Sequence, residues 1–191
     1  MSDTIRLARI VPDSRANGPG LRDAFWTAGC SIHCPGCINP QWLDPASGID
    51  VPVAAVIAMI ENRSAAIEGI TFSGGEPTEQ AEAVAAIAEA AHRLGLSVLL
   101  FTGRTMDACQ ADPSRRRLVQ ACDIVIAGPY REDLPDHRPL LGSSNQRIHF
   151  TSGRYTENDL QGIPDMEMII DGTRLVTTGL YTRIDGGRHG R

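Results

Sequence analysis

The chain has 191 residues, a hydrophobic fraction of 42% and a formal net charge of -5 at pH 7. This length predicts one domain with an ordinary hydrophobic core. Because charges of both signs are spread along an acidic chain, we expect no nucleic-acid partner. No stretch reaches the roughly 20 apolar residues of a membrane helix, and none is typical of a signal peptide, so we expect a cytoplasmic protein without a membrane partner.

The first predicted elements lead to a group of cysteines. Residues 5–11 predict a short strand, and residues 13–20 predict a turn-rich loop. Residues 21–28 are rich in aromatic and β-branched side chains and predict the first strand of a parallel sheet. Gly29 then lets the chain turn, so the cysteines follow the carboxyl end of a strand. Parallel α/β folds place their chemistry at that end.

Three of the five cysteines, Cys30, Cys34 and Cys37, form a C-x3-C-x2-C motif. Thiolate is the soft ligand that iron–sulfur clusters use. A [4Fe-4S] cluster has four irons, so three cysteines leave one iron open to a chelating small molecule. No fourth cysteine lies nearby, which distinguishes the motif from ferredoxin-type runs.

Two other interpretations of this motif are a zinc site and structural or disulfide-bonded cysteines. Zinc sites usually combine two C-x2-C pairs, or cysteine with histidine. Here one such pair is present, and His33 stands beside Cys34, where it would point away from a shared metal. Three clustered cysteines in a chain without a secretion signal do not suit a disulfide. The motif therefore favours a cluster.

A helix and a second strand follow. Residues 50–63 predict a helix with Asp50 as N-cap, because apolar residues recur on one face. Residues 70–73 predict a strand that ends in Gly74, Gly75 and Glu76. Two glycines permit close approach of the backbone to a ligand, and Glu76 supplies a carboxylate. The same segment alone would be typical of a plain turn, but its place one βα unit after the cysteines favours ligand binding.

Alternating helices and strands continue to residue 127. Residues 78–94 predict a helix that ends before Gly95, and residues 96–102 predict a buried strand. Thr102, at the end of that strand, could contact a ligand or cap a turn. Residues 105–121 predict one helix or a broken pair, and residues 123–127 predict a further strand.

The last part of the chain predicts a polar loop over residues 128–147, a strand at 148–150 and a hairpin formed by 166–170 and 174–176. We expect residues 1–176 to form one domain and the Gly- and Arg-rich residues 177–191 to form a tail. Cys109 and Cys122 stand at no ligand spacing, so we expect them to be buried as small hydrophobic residues.

Four motifs in this order resemble those of the radical S-adenosylmethionine (SAM) enzymes, whose signature is C-x3-C-x2-C. The motifs are residues 17–20 (NGPG), the cysteine motif with residues 37–39 (CIN), residues 71–77 (TFSGGEP) and residues 142–147 (GSSNQR). Together they resemble the anaerobic ribonucleoside-triphosphate reductase activating proteins, which are small glycyl-radical-enzyme activases. The resemblance covers about residues 10–150.

The resemblance implies an α/β fold of the incomplete, open (βα)6-type TIM barrel. The alternation of strands and helices agrees with parallel βα units, and the chain is too short for a full barrel of about 250 residues. The implied cofactors are a [4Fe-4S] cluster and SAM. Cys30, Cys34 and Cys37 would ligate the cluster, Gly74, Gly75 and Glu76 would hold the methionine end of SAM, and Gly36 and Ile38 would touch SAM.

The implied activity is that of a radical SAM oxidoreductase. It would cleave SAM reductively and install a glycyl radical on a partner such as anaerobic ribonucleotide reductase, with electrons from a flavodoxin- or ferredoxin-type donor. Two alternatives stay open, a stand-alone radical SAM enzyme acting on a peptide or small molecule, and a non-enzymatic iron–sulfur electron carrier.

Some residues depart from the family pattern. Gly36 and Ile38 replace aromatic residues that often flank the third cysteine, and Ala127 with Pro129 changes an aspartate-containing segment before Tyr130. The segment beyond Arg147 is also longer than typical. These departures affect adenine packing and the identity of the hydrogen donor, and they leave the cluster and SAM chemistry unchanged.

Overall fold

The structure is a computed structural model that describes residues 3–171 and 174–179. Over these residues the chain forms nine strands and four α-helices. The strands are β1 (Thr4–Ser14), β2 (Arg22–Thr27), β3 (Ile49–Pro52), β4 (Gly69–Gly74), β5 (Ser97–Thr102), β6 (Ile124–Ala127), β7 (Arg147–Phe150), β8 (Met166–Asp171) and β9 (Arg174–Gly179). The helices are α1 (Val53–Arg63), α2 (Ala81–Arg93), α3 (Met106–Ala111) and α4 (Pro113–Gln120).

Strands β1 to β7 form one sheet in the order β3-β1-β2-β4-β5-β6-β7, and β8 and β9 form a separate hairpin. The central strands β2, β4, β5 and β6 are parallel neighbours. Strands β1, β3 and β7 are antiparallel additions at the two sides. The predicted α/β class is therefore confirmed, although the described residues contain four parallel strands rather than six.

The two faces of the sheet are covered differently. Phe25, Phe72 and Leu100 point to one face, where they pack in one apolar cluster with residues from all four helices. Alternate residues of the same strands point to the opposite face. There, Leu99 and Ile126 pack against the segment that follows β6, and Trp26 packs against the β8–β9 hairpin. All the described α-helices thus lie on one side of the sheet.

The predicted start of the first helix is wrong. Residues 49–52 form the short strand β3, which pairs with β1, and α1 begins at Val53. Asp50 does not cap the helix, because its carboxylate accepts a hydrogen bond from Arg6 Nε at 2.9 Å. Pairing with β1 therefore overrides the helical pattern at these exposed residues.

The other predicted elements are confirmed with small changes at their ends. The helix expected at residues 78–94 begins with a 3₁₀ turn, Pro77–Gln80, before α2, and it ends before Gly95, whose φ is +78°. The segment 105–121 is the broken pair α3 and α4, in which Asp112 caps α4 by accepting a hydrogen bond from Arg115 N.

The C-terminal hairpin is also confirmed, and β9 continues to Gly179. Residues 177–179 therefore belong to a strand rather than to the predicted tail, while residues 180–191 lie outside the described residues. In the described ranges, no helix has both the length and the apolar character that a membrane crossing demands. The cytoplasmic location stays a prediction.

Candidate functional site

A cavity lies where the parallel strands end. Its lining residues lie at, or just after, the carboxyl ends of β2, β4, β5 and β6. Eight of the nine predicted site residues line it, namely Cys30, Cys34, Cys37, Ile38, Gly74, Gly75, Glu76 and Thr102. The ninth, Gly36, does not line the cavity. The sheet therefore brings together residues that are far apart in the sequence.

The cysteine loop is fixed at its start by backbone hydrogen bonds. Gly29 N donates to Trp42 O at 2.9 Å, and Cys30 N donates to Leu43 O at 3.0 Å. Within the loop, Cys37 N donates to Cys34 O at 3.1 Å. All three cysteines are free thiols with intermediate exposure. The three cysteines that line the cavity thus lie on a loop whose first residues are fixed in place.

The three thiols lie close enough to influence one another. Burial raises the pKa of Cys34, a backbone hydrogen bond from Tyr130 opposes this rise, and Cys37 and Cys30 add to it. Burial likewise raises the pKa of Cys37, against a backbone hydrogen bond from Asn39. A bound metal cluster would reverse this preference, because ligating thiols are deprotonated.

The cysteines do not converge on a single metal ion. Within residues 3–171 and 174–179, no three or more histidine, cysteine or acidic side chains are grouped closely enough to hold one ion. A zinc site requires such convergence. In a [4Fe-4S] cluster each cysteine binds a different iron, so its ligands are spread around the cube.

The two glycines at the end of β4, Gly74 and Gly75, are required by close packing within the protein. Gly75 N donates to Thr27 O, and Glu76 N donates to Gly29 O, both at 2.8 Å. A Cβ atom on Gly74 would lie 2.4 Å from Thr27 N, and one on Gly75 would lie 2.2 Å from Gly29 O. The glycines therefore let this segment pack against the residues just before Cys30, a different reason from the predicted close approach of a ligand.

Glu76 is the polar centre of this edge of the sheet. Its side chain is buried, and its Oε1 accepts hydrogen bonds from Thr78 N (2.9 Å), Thr78 Oγ1 (2.6 Å) and Thr102 Oγ1 (2.8 Å). Its Oε2 accepts one from Gly103 N at 2.8 Å. Two donors from the 3₁₀ turn after β4 and two from the end of β5 thus surround one carboxylate. Thr102 contributes a hydroxyl to this group and also lines the cavity.

A second carboxylate holds the first residue after Cys30. Glu79 Oε1 accepts hydrogen bonds from Ser31 N at 2.7 Å and from Ser31 Oγ. Arg104 lies beside them, with its Nη2 3.5 Å from Glu79 Oε1 and its Nε donating to Thr78 Oγ1 at 3.1 Å. We call Ser31, Glu79 and Arg104 the loop clamp. It connects the cysteine loop to the segments that follow β4 and β5.

Comparison with known proteins identifies the family. Residues 16–149 match the model of the 4Fe-4S single cluster domain, and this range includes the cysteine loop and the residues that follow β4, β5 and β6. The chain belongs to the 4Fe-4S single cluster family. The predicted [4Fe-4S] cofactor is thereby confirmed, and the zinc interpretation is set aside.

Named relatives in this family confirm the predicted resemblance to activases. The anaerobic ribonucleoside-triphosphate reductase-activating protein of Escherichia coli (strain K12) is 29% identical over 150 residues, which cover 74% of this chain and 96% of the relative. The protein of that name from Salmonella typhi is 28% identical, over 76% of this chain and 98% of the relative. Pyruvate formate-lyase 1-activating enzyme of Escherichia coli (strain K12) is 30% identical, over 69% of this chain and 54% of that enzyme.

Eight of the sixteen residues that line the cavity lay outside the predicted set. Tyr130 and Gln146 are two of them. Gln146 Nε2 donates to Gly128 O at 3.0 Å, so the loop between β6 and β7 is folded back onto the end of β6. The GSSNQR segment and the length of this loop were sequence signals for both residues. Gly36 instead packs beside Glu132 of the same loop.

An unsatisfied oxygen lies in this part of the chain. Asn145 Nδ2 donates to Pro129 O at 2.8 Å, but the buried Asn145 Oδ1 has no hydrogen-bond partner among the described residues. Buried polar atoms are rarely left without a partner. Asn145 is therefore next to the cavity, because its neighbour Gln146 and the Gly128 that precedes Pro129 both line it. A ligand donor or a water molecule would satisfy it.

Proposed function

We propose that this chain is a radical SAM activase, which cleaves SAM reductively at a [4Fe-4S] cluster and removes a hydrogen atom from a backbone glycine of a partner enzyme. An anaerobic ribonucleotide reductase is the partner that the names of the relatives favour. The observation that supports this proposal is the single cavity shared by the cysteine loop and the Gly-Gly-Glu segment.

The residues of the cavity fit these cofactors. Cys30, Cys34 and Cys37 would each bind one iron, which leaves the fourth iron for SAM. When bound, the reduced cluster and SAM supply a 5′-deoxyadenosyl radical through one-electron cleavage of a C–S bond. The protein supplies binding, orientation and exclusion of water. Phe101 and Tyr130 add aromatic surface to the cavity, which suits a ligand with an adenine ring.

The roles of the Gly-Gly-Glu residues divide into contact and positioning. The Glu76 carboxylate already accepts four hydrogen bonds within the protein, so we assign it to positioning the strand end. Backbone groups of Gly74 and Gly75 and the side chain of Ile38 are the proposed contacts with SAM. Gly36 lies outside the cavity lining, so its proposed part is limited to shaping the cysteine loop.

We also propose that the sheet is an incomplete barrel. Four parallel strands with all the described helices on one face agree with a barrel wall, because doubly wound sheets carry helices on both faces. In this proposal the inner face is the one that packs against the β6–β7 loop and the C-terminal hairpin. A flavodoxin- or ferredoxin-type protein is the proposed electron donor.

SAM cleavage tests the proposed function directly. The protein is reconstituted with iron and sulfide without oxygen, reduced and supplied with SAM, and 5′-deoxyadenosine and methionine are quantified. We expect both products, and we expect the Cys34→Ala variant to make neither. A protein with a full cluster that cleaves no SAM would contradict the proposal and favour an electron carrier.

The partner is tested in a second step. A glycyl-radical enzyme encoded near this chain is added, and the glycyl radical is measured by electron paramagnetic resonance. SAM cleavage without a radical on any such enzyme would favour the stand-alone alternative. The C-terminal hairpin beside the cavity is the observation that keeps this second candidate, because it supplies a wall for a substrate site.

A further inference from the structure

A short segment of the β6–β7 loop, residues 130–133, lies against the cysteine loop, and we call it the strap. The Tyr130 backbone N–H donates a hydrogen bond to the Cys34 thiol. A Cβ atom built on Gly36 would lie 2.6 Å from Glu132 Oε2 and 2.9 Å from Glu132 Cβ, so the Glu132 side chain runs along this glycine. Pro35 and all four strap residues line one cleft at the surface. The strap therefore contacts the cysteine loop between its second and third cysteines.

The GSSNQR segment holds the strap and its flanks in place. Four of its residues are each hydrogen-bonded to one residue of the range 128–134. The four pairs are Ser143 with Arg131, Ser144 with Leu134, Asn145 with Pro129 and Gln146 with Gly128, at 2.8 to 3.1 Å. This motif thus fixes the position at which the strap meets the cysteine loop.

The charges of the strap do not cancel. Arg131 and Asp133 pair with each other, and Arg131 Nε lies 3.0 Å from Asp133 Oδ1. The strap therefore has one net negative charge, which the exposed carboxylate of Glu132 supplies. In the loop clamp, by contrast, the carboxylate of Glu79 lies 3.5 Å from the guanidinium of Arg104. The unbalanced charge beside the cysteine loop is thus that of Glu132.

A negative charge beside an iron–sulfur cluster opposes its reduction. The reduction potential of such a cluster depends on nearby charge, on hydrogen bonds to its sulfur ligands and on exposure to solvent. Reduction adds one electron from an external donor to [4Fe-4S]²⁺ and gives [4Fe-4S]⁺, and no bond or proton changes. The Glu132 carboxylate should therefore lower the potential, whereas the Tyr130 N–H on Cys34 should raise it.

We propose that Glu132 is a tuning residue, whose carboxylate, held along Gly36 by the strap, lowers the reduction potential of the bound cluster. A cluster of lower potential is a stronger one-electron donor, which suits the proposed cleavage of SAM. The inference rests on the proposed ligand roles of Cys34 and Cys37, and it requires no contact between Glu132 and SAM. It also gives the GSSNQR segment a function in this chain, the placement of a charge.

A redox titration without SAM tests this inference. The full chain is reconstituted with iron and sulfide, poised at stepped potentials with mediators, and the reduced cluster is measured by electron paramagnetic resonance. Glu132→Gln keeps the shape of the side chain and removes its charge. We expect reduction to become about three- to tenfold more favourable, which raises the midpoint by about 30 to 60 mV at about 59 mV per tenfold for one electron.

Two further variants separate charge from structure. Glu61→Gln is the matched control, because Glu61 is exposed on α1 and lies outside the strap and the cavity lining. Its midpoint should equal that of the unchanged protein. Glu132→Lys should raise the midpoint about twice as far as Glu132→Gln. Both Glu132 shifts should shrink between about 50 mM and about 1 M salt, because salt screens exposed charges.

Three results would overturn the inference. The first is a Glu132→Gln midpoint equal to that of the unchanged protein or of Glu61→Gln. The second is a shift that is as large at high salt as at low salt, which would assign it to altered structure. The third is loss of the cluster from Glu132→Gln, measured as iron per chain, because an exposed tuning residue is not needed to hold the cluster.

SAM cleavage by the same preparations separates the two proposals. SAM cleavage without a midpoint shift in Glu132→Gln would overturn the tuning role and leave the proposed function in place. A midpoint shift in a fully loaded protein that cleaves no SAM would leave the tuning role in place and contradict the proposed function.

Discussion

Each end of the parallel strands contains a buried charged side chain that is hydrogen-bonded to several segments. The side chain at the carboxyl end contacts residues of the cavity edge, and the one at the amino end contacts the strands themselves. At the carboxyl end, Glu76 accepts hydrogen bonds from Thr78, in the turn after β4, and from Thr102 and Gly103 at the end of β5. At the amino end, Arg22 donates to groups on β4 and β5 themselves and to the NGPG loop. We call Glu76 the carboxyl-end hub, which organises the edge of the cavity, and Arg22 the amino-end hub, which joins the strands.

Arg22, like Glu76, is fully enclosed. It has no exposed surface and donates to Thr71 Oγ1, Pro19 O, Ser97 Oγ, Ile70 O and Ser97 O. Burial lowers its pKa to about 10, and Tyr155 partly offsets this effect. No carboxylate contacts it directly among its described hydrogen bonds, so neutral oxygens hold the charge. We therefore expect changes at the amino end to affect stability most and changes at the carboxyl end to affect chemistry most.

Removal of a cluster ligand should produce the largest effect. Cys34→Ala should reduce SAM cleavage to background and remove the cluster absorption, because three thiolates are needed for three irons. The fold should persist, since Cys34 is only partly buried. Cys122→Ala is the control, as Cys122 is buried in the apolar cluster and its thiol contacts Leu118 O, away from the cavity lining. Loss of the cluster from the control as well would contradict the assignment.

The amino-end hub is expected to govern stability. Arg22→Met should lower the free energy of unfolding by about 2 to 4 kcal/mol, because several buried acceptors lose their donor. Urea unfolding measures the loss, with the exposed Arg116→Met as control at about 0.5 kcal/mol or less. SAM cleavage per folded molecule should stay close to that of the unchanged protein. A large loss of SAM cleavage with little loss of stability would contradict the assignment of Arg22 to stability.

The carboxyl-end hub should show the reverse balance. Glu76→Gln keeps the shape of the side chain but places an amide N–H against one of four donors. We expect SAM cleavage to fall by about 10- to 100-fold and stability by about 1 to 2 kcal/mol. The exposed Glu61→Gln serves as the matched charge change. Unchanged kinetics with a large loss of stability would show that Glu76 is a structural residue.

The loop clamp should have a smaller effect on the same edge. Glu79→Gln weakens the hydrogen bonds from Ser31 N and Ser31 Oγ, so the cysteine loop should hold the cluster less firmly. We expect release of iron to a chelator to speed up by about three- to tenfold. Ser31→Ala removes the hydrogen bond from Ser31 Oγ to Glu79. The double variant should therefore release iron only slightly faster than Glu79→Gln alone. Fully additive effects would show that the two residues act separately.

Acid titration should give the smallest effect, and again at the amino end. Burial raises the pKa of Asp123. Hydrogen bonds from Ser152, Val98 N and His92 lower that pKa by more than burial raises it, so the net shift is downward. Stability from this group is present above its unfolded pKa of about 3.9 and is lost as the pH falls through the lower folded value. Urea midpoints should therefore drop less with acid in Asp123→Asn than in the unchanged protein.

Local sequence patterns predicted most of the strands, because buried parallel strands are short apolar runs bounded by glycine. Strand β3 was missed since its residues 49–52 are mostly exposed and form a strand only by pairing with β1. Spacing alone singled out Cys30, Cys34 and Cys37, and all three line the cavity, while their role as cluster ligands stays a prediction. The donors to Glu76 were not predictable, because Thr78, Thr102 and Gly103 meet only after β4 and β5 pair. Tertiary contacts of this kind leave no local periodicity.

The contact between Arg9 and Thr177 joins residues that are 168 positions apart, whereas Ser31 and Glu79 are 48 apart. Contacts of larger sequence separation carry a larger loop-closure cost and tend to form later in folding. We therefore expect the cysteine loop to reach its final geometry before β9 packs against the sheet. A chain at that stage could already take up its cluster before β9 is in place, so cofactor loading need not wait for the C-terminal hairpin.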